Sequence, residues 1–306
     1  MILMVDGNNL AFRNWSAVFL TNSRHENVGA IYGSLTSIRT LVKKYRPGRI
    51  VVCWDHGESQ WRKKMYPEYK QKREELKGWE DYVKQKDLLM EVLNYLPVVQ
   101  IRVKGVEADD LVGILTYAMT GRDQIGLVSS DKDFYQLLDS SVFLIRKTKN
   151  GYEEYAWQEF VDEFGLLPTD WLDMKAMMGD PGDNIPGVRG IGEKKAAGLL
   201  KLYGRLDAVL DMEISPLSRD VLLVRNSRDV LRISKKLSWI PRAIDQDLYS
   251  VEQAREIFDG VVRTEEAMER TMDLPGFVRF CEQCELKTIL KNGKEWFEDF
   301  KLGARA

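Results

Sequence analysis

The chain has 306 residues, 44% of them hydrophobic, which is enough length and apolar content for two domains with a sizeable core. Lys and Arg number 45 against 47 Asp and Glu, and the net charge of −2 excludes a protein that binds nucleic acid by uniform positive charge. No apolar run could cross a bilayer, no signal-like stretch follows Met1, and cysteines number three, so a protein of the reducing cytoplasm with no membrane partner is expected.

Residues 2–5 open the chain as a short apolar strand that closes on Asp6, and the DGNN sequence there also reads as a plausible turn. Residues 29–45 carry helical periodicity, and residues 49–54 (RIVVCW) form a second strand that closes on Asp55. Residues 61–77 follow, with seven bases (Arg62, Lys63, Lys64, Lys70, Lys72, Arg73, Lys77) against three acids. Interleaved Trp61, Tyr66, Tyr69 and Trp79 could stack on bases while the cations hold phosphates, and the competing reading is a solvated helix face. A helix over 81–95 and strands over 98–103, 125–128 and 142–145 complete the alternation, which predicts a mostly parallel sheet covered by helices. Beyond residue 157 only helices are expected, over 157–164, 169–178, 192–202 and 218–237, with a docking helix over 274–290 and fraying from 291 to the end. Cys281 and Cys284 form a CxxC without a second ligand pair, and the histidines are His25 and His56, so a structural zinc site lacks ligands.

Nine carboxylates fall at the strand ends and helix starts of this pattern: Asp6, Asp55, Glu107, Asp109, Asp110, Asp131, Asp133, Asp180 and Asp183. In GVEADD, three acids open one helix. The helix dipole would account for one of them, at about 0.3–1 kcal/mol, and three, with Glu107 and Asp110 on the side continuous with the buried face, suit a metal better. In SSDKD, capping the next helix needs one group and leaves the other acid over. Two unit charges about 6 Å apart at an effective dielectric of about 20 repel by roughly 3 kcal/mol, so only multivalent cations make such a cluster tolerable. Oxygen-only ligands favour Mg²⁺ or Mn²⁺. The segment MGDPGDNIPGVRGIGEKKA then sets Gly187, Gly190 and Gly192 before a helix with Lys194 and Lys195 in its first turn. This is the logic of a helix-hairpin-helix element gripping a duplex backbone.

Seven segments in order, VDGNNLAFR, NVGAIYGSL, VVCWD, YPEYKQKR, GVEADDLVG, SSDKDFYQLL and MGDPGDNIPGVRGIGEKKA, resemble the 5′–3′ exonuclease and flap endonuclease family over residues 2–248. The family includes the N-terminal nuclease domain of bacterial DNA polymerase I and stand-alone phage enzymes. The resemblance implies a PIN-like nuclease domain over 1–156 with a basic helical arch at about 59–79. It implies a helical, helix-three-turn-helix DNA-binding domain over 157–306, with its hairpin at about 179–202 and C-terminal helices. By resemblance, Asp6, Asp55, Glu107 and Asp109 would surround one Mg²⁺ and Asp131, Asp133 and Asp183 a second, with Asp110 and Asp180 shared or in the outer shell. Lys70 and Arg73 would approach the scissile phosphate with Tyr69 stacking beside them. Arg13 and Arg62 would contact substrate, and backbone carbonyls at Val188 and Ile191 would hold K⁺. The implied substrates are DNA with a 5′ flap, nick or RNA primer. A DNA polymerase or single-strand binding protein would be the partner of a monomeric enzyme. A PIN-type single-strand ribonuclease and a non-catalytic duplex-binding protein are the alternatives. The family usually has Phe where Trp54 precedes Asp55, and His56 follows, which leaves the pocket's shape open at that strand end.

Overall fold

Alternating apolar runs in the first half fold into one six-stranded sheet in this computed structural model, which describes residues 1–71, 77–212, 218–267 and 271–301. The strands are β1 (Ile2–Asp6), β2 (Arg49–Trp54), β3 (Val99–Arg102), β4 (Ile125–Val128), β5 (Val142–Thr148) and β6 (Gly151–Tyr155), in the spatial order β3-β2-β1-β4-β5-β6. All pairings are parallel except β5 with β6. The hairpin carrying β6 went unread in the sequence, although Asn150 before Gly151, whose φ is +122°, is a usable turn signal. The chain runs outward from β1 through β2 to β3 and then returns to the other side of β1 as β4. The switch point therefore lies between β1 and β4, where an open α/β sheet forms its ligand crevice.

Five helices accompany the sheet: α1 (Gly7–Ala17), α2 (Gly29–Tyr45), α3 (Gln60–Met65), α4 (Trp79–Leu93) and α5 (Ala108–Met119). Side chains alternate across β1, so Ile2 and Met4 join the core that continues into the helical half, while Leu3 and Val5 face α2 and α4. The helical half comprises α6 (Trp157–Phe164), α7 (Trp171–Met178), α8 (Glu193–Tyr203), α9 (Leu206–Leu210), α10 (Arg219–Arg225), α11 (Arg228–Ser238) and α12 (Val251–Glu265). The single helix expected over 218–237 is two, because the Ser227 hydroxyl donates to the Leu223 carbonyl (2.8 Å) where the helix would otherwise run on.

The last three helices correct the domain expectation. Helices α13 (Leu274–Gln283), α14 (Lys287–Lys291) and α15 (Gly293–Asp299) do not extend the helical half. They pack Phe277, Phe280, Trp296 and Phe300 into the opposite core, with Leu35, Ile38 and Leu89 of α2 and α4. The cause is an uncovered apolar face on α2, which α15 closes, with Arg39 pairing Asp299 at 2.6 Å and stacking on Trp296. Residues 291–301 are thus docked rather than frayed, and 302–306 lie outside the described residues. Cys281 and Cys284 are buried free thiols in this packing, and burial pushes the Cys281 thiol up to about 12.

Candidate active site

The site starts from what ends each strand. Asp6 closes β1 and caps α1, accepting from the Asn9 backbone N–H (3.0 Å) and the Ser129 hydroxyl (3.0 Å). Gly7 is needed just beyond it, because a Cβ there would sit 2.6 Å from the Trp54 ring, which is buried in the core and does not line the cavity. Asp55 follows β2 and accepts from the Ala108 N–H (2.8 Å) and from Asn8. Asp131 follows β4, its backbone N–H on Ser129 and its carboxylate capping a short 3-10 helix through the Asp133 N–H (2.8 Å). Asn8, Asn9 and Ser129 were not singled out in the sequence, although each lies within three residues of an acid that was.

These acids, with Asp109 and Glu107 from the start of α5, line a cavity of about 530 Å³ at the carboxyl edge of the sheet. Burial, then repulsion from Asp55 and Asp131, raises Asp6 to about 7, with the Asn9 bond opposing. Burial, then Asp6 and Asp131, holds Asp109 well above the usual carboxylate range. The side chains still stand apart, and among the described residues no three His, Cys, Asp or Glu groups are drawn together closely enough to hold an ion. The donor set is all oxygen, and mutually repelling carboxylates that share one cavity are what a divalent cation would draw together and stabilise, so in chemistry, though not yet in spacing, these residues fit one.

The other acids do not share this floor. Asp110, next in sequence to Asp109, is fully buried and faces away, held by Arg62 (2.8 Å) and the Trp61 indole N–H (3.0 Å). Asp110 is therefore not placed as a ligand of this cavity. Arg62, expected at the substrate, is only 2% exposed and bonds Glu107 (2.6 Å), Asp110 and the Leu237 and Trp239 carbonyls (2.9 Å each). Asp133 and Asp180 are bridged by Lys175 of α7, at 2.7 and 2.8 Å, a buried cation that helical periodicity did not reveal. Burial, then Asp131, lifts Asp133 to about 7 against the pull of Lys175. Burial also opposes the charge on Asp180, but Lys175 and two backbone N–H groups outweigh it and hold that acid low.

The described part of the basic segment lines the cavity through Lys63, Tyr69, Lys70 and Gln71. The Tyr69 ring packs with Ile185 and Leu237 and its hydroxyl donates to Glu107 (3.3 Å), so it does not present the open stacking face expected of it. Lys70, read from sequence as exposed, is half-buried at φ +55°. Its N–H donates to the Asp183 carbonyl (2.9 Å) and its ammonium bonds Glu107 (2.5 Å), with the Asp183 carboxylate at 3.6 Å. Lys70→Glu would set three carboxylates together, so a lower melting temperature is expected along with weakened catalysis. An unchanged thermal midpoint would restore the exposed reading. Arg73 lies outside the described residues. Arg13 is turned to the sheet edge, donating to the Tyr152 hydroxyl (3.2 Å).

In the hairpin, a Cβ on Gly187 would strike the Met178 carbonyl at 2.3 Å, and Gly190 has φ +90°. Gly192 has an extended backbone and open space around it. Lys194 and Lys195 are exposed on the first turn of α8, with Lys195 pairing Asp220 at 2.7 Å. The Val188 carbonyl accepts from the Ile191 N–H (2.9 Å), and both side chains are buried.

An acid-floored cavity at the switch point of a mostly parallel sheet, roofed by a basic segment and flanked by a helical lobe with a glycine hairpin, defines a nuclease of the PIN-like, resolvase-like class. The chain belongs to the 5′-3′ exonuclease family: residues 1–165 match its N-terminal resolvase-like domain and residues 166–256 its C-terminal SAM fold. It is 33% identical over 247 residues to the 5′-3′ exonuclease of Bacillus subtilis, covering 78% of this chain and 82% of that one. It is 31% identical over 294 residues to the thermostable DNA polymerase I of Thermus thermophilus, covering 94% of this chain and 32% of that relative. Among solved structures, T5 5′-exonuclease with zinc bound superposes with a TM-score of 0.73 at 24% identity, covering 88% of this chain and 99% of that one. The catalytic core of Rad2 in complex with DNA substrate gives 0.58 at 16% identity, covering 98% and 91%. These two likenesses carry the fold.

Proposed function

We propose that this chain is a structure-specific 5′ nuclease, a 5′–3′ exonuclease and flap endonuclease acting on DNA at 5′ flaps, nicks and RNA primers in replication and repair. The observation that supports it best is the mutually repelling set of buried Asp6 and half-buried Asp55, Asp109 and Asp131 in one cavity under a lysine-bearing roof. We assign these four and Glu107 to hold divalent cations, two Mg²⁺ or Mn²⁺, with Asp133 and Asp183 on the hairpin side and Asp180 outside them. When bound, such ions would activate water and stabilise the attacking and leaving oxygens. The protein's own part is orientation: Asn9, Ser129 and the Ala108 N–H aim the acids, and Lys70 lines the cavity where its ammonium can meet a phosphate.

Gly192, which nothing in the chain requires to be glycine, lets duplex backbone approach the α8 terminus, where Lys194 and Lys195 add charge. Gly187 and Gly190 shape the turn, and the carbonyls at Val188 and Ile191 are the candidates for a bridging K⁺. We further propose a nuclease unit over 1–156 and a DNA-holding unit from 157 through α12, in a monomeric cytoplasmic enzyme working beside a DNA polymerase or single-strand binding protein. No helix among the described residues is long and apolar enough to cross a membrane.

One gel tests the reading, with flap, nicked, gapped and RNA-primed duplexes and single-stranded RNA, each with and without EDTA. Flap DNA cleaved only without EDTA is expected. Preferred cleavage of single-stranded RNA, or binding with no Mg²⁺-dependent product, overturns the proposal. Asp133→Asn should abolish flap cleavage and leave flap binding largely intact, and wild-type rates from that variant would remove Asp133 from the site.

A further inference from the structure

Four described cations line the active-site cavity, and they divide by partner. Lys63 pairs Glu58 at 2.8 Å and Lys70 pairs Glu107, whereas Lys86 and Arg102 have no carboxylate within ion-pair distance among the described residues. An exposed arginine needs no partner, but Lys86 is half-buried: burial disfavours its charge most, Asp87 and Asp55 favour it without pairing it, and Arg102 opposes it. A patch of positive charge therefore adjoins the acid floor without being drawn into it, and the fold leaves a half-buried ammonium facing the cavity unpaired.

The surroundings of Lys86 say which anion would complete it. Trp79, Tyr82 and Lys86 follow one another at i, i+3 and i+7 on α4, and all three line the cavity. Phe12 of α1 joins them, its ring 5.5 Å from Tyr82, with Trp79 5.0 Å from Tyr82 on the other side. Phe12 remains 38% exposed at the cavity wall, so an aromatic face is open there. Rings beside unpaired cations suit a nucleotide rather than a free inorganic anion, and an unpaired base offers the stacking face that a duplex conceals. Arg102 also lines a second cleft, where Glu256 and Asp259 of α12 balance it and Arg263, so the unbalanced positive charge is confined to the cavity side.

We propose that Lys86 and Arg102 form a subsite for a backbone phosphate of the single-stranded 5′ arm, with the adjoining base against Phe12 and Trp79. The subsite holds the arm on the α1/α4 side of the cavity, opposite Lys70. It rests on the 5′ nuclease reading but is tested by binding, so the two can fail separately.

The experiment measures binding in EDTA of a 5′-flap DNA and of a blunt duplex lacking the arm, by wild type and by the double variant K86M/R102M. The variant should bind the flap about tenfold more weakly and the blunt duplex within about twofold of wild type. Equal loss on both DNAs, or no loss on either, overturns the subsite. A second arm keeps the test open if the variant folds poorly. Phosphates of the single-stranded arm are replaced one at a time by uncharged methylphosphonate. Wild-type affinity should fall at one or two positions, and a scan with no sensitive position in the arm also overturns it. Flap DNA that binds as expected but is never cleaved would instead count against the nuclease reading alone.

Discussion

Asp109→Asn is expected to abolish cleavage and, in EDTA, to raise the melting temperature. Asp109 stands at the start of α5, where repulsion from Asp6, Asp131 and Asp55 acts on it and Lys70 opposes them. Like charges in such contact cost on the order of a few kcal/mol each at an effective dielectric of about 20, before relaxation. An amide of the same shape removes that cost, so a gain of about 1–3 kcal/mol is the reasonable scale, as where function holds a strained site. Divalent cations reverse the order: adding Mg²⁺ should raise the wild-type melting temperature, because an ion that binds only the folded state stabilises it, and should raise the variant's less. The neighbouring substitution Asp110→Asn should do the opposite in EDTA, since it takes a bonded partner from a buried arginine. Two adjacent aspartates with opposite effects on stability would separate ligand from strut in one differential scan. A fall in the melting temperature of Asp109→Asn in EDTA would sink the assignment.

That adjacency shows what a sequence can and cannot convey. The acids at Asp6, Asp55 and Asp131 were legible because a short apolar strand ending in a carboxylate fixes both position and edge, and parallel pairing brings the three ends together. The residues alone put Asp110 on the buried side of its helix and only the resemblance singled out Asp109, because neighbours on a helix point about 100° apart and only packing decides which one meets the cavity. Arg62 and Lys175 were misread or missed for a related reason. A basic residue in a charged stretch is solvated by default, and the partners that bury Arg62 (Glu107, Leu237, Trp239) lie 45 to 177 residues away. The docking of α13–α15 on the nuclease half was hidden in the same way, since an amphipathic helix announces a face and not its partner.

Arg62→Ala is the most damaging single change expected in the described structure. The guanidinium spans α3, the start of α5 and the chain after α11, satisfying two carboxylates and two carbonyls while stacked 4.1 Å from the Trp61 ring. Its removal leaves Asp110 buried without its cation and Glu107 with Lys70 alone among the described cations, a cost of about 3–5 kcal/mol. Lysine keeps the charge but lacks the planar fork, so Arg62→Lys should recover part of the stability and lose the two carbonyl bonds. If the loss reflects stranded charge, Arg62→Ala combined with Asp110→Asn should cost clearly less than the sum of the single changes, read by chemical denaturation in a double-mutant cycle. If Arg62 instead served as a substrate contact on the surface, both substitutions would leave the unfolding midpoint in place and weaken only DNA binding. Additive losses would show that Asp110 is not what Arg62 neutralises, leaving Glu107 and the carbonyls of the helical lobe to account for the whole effect.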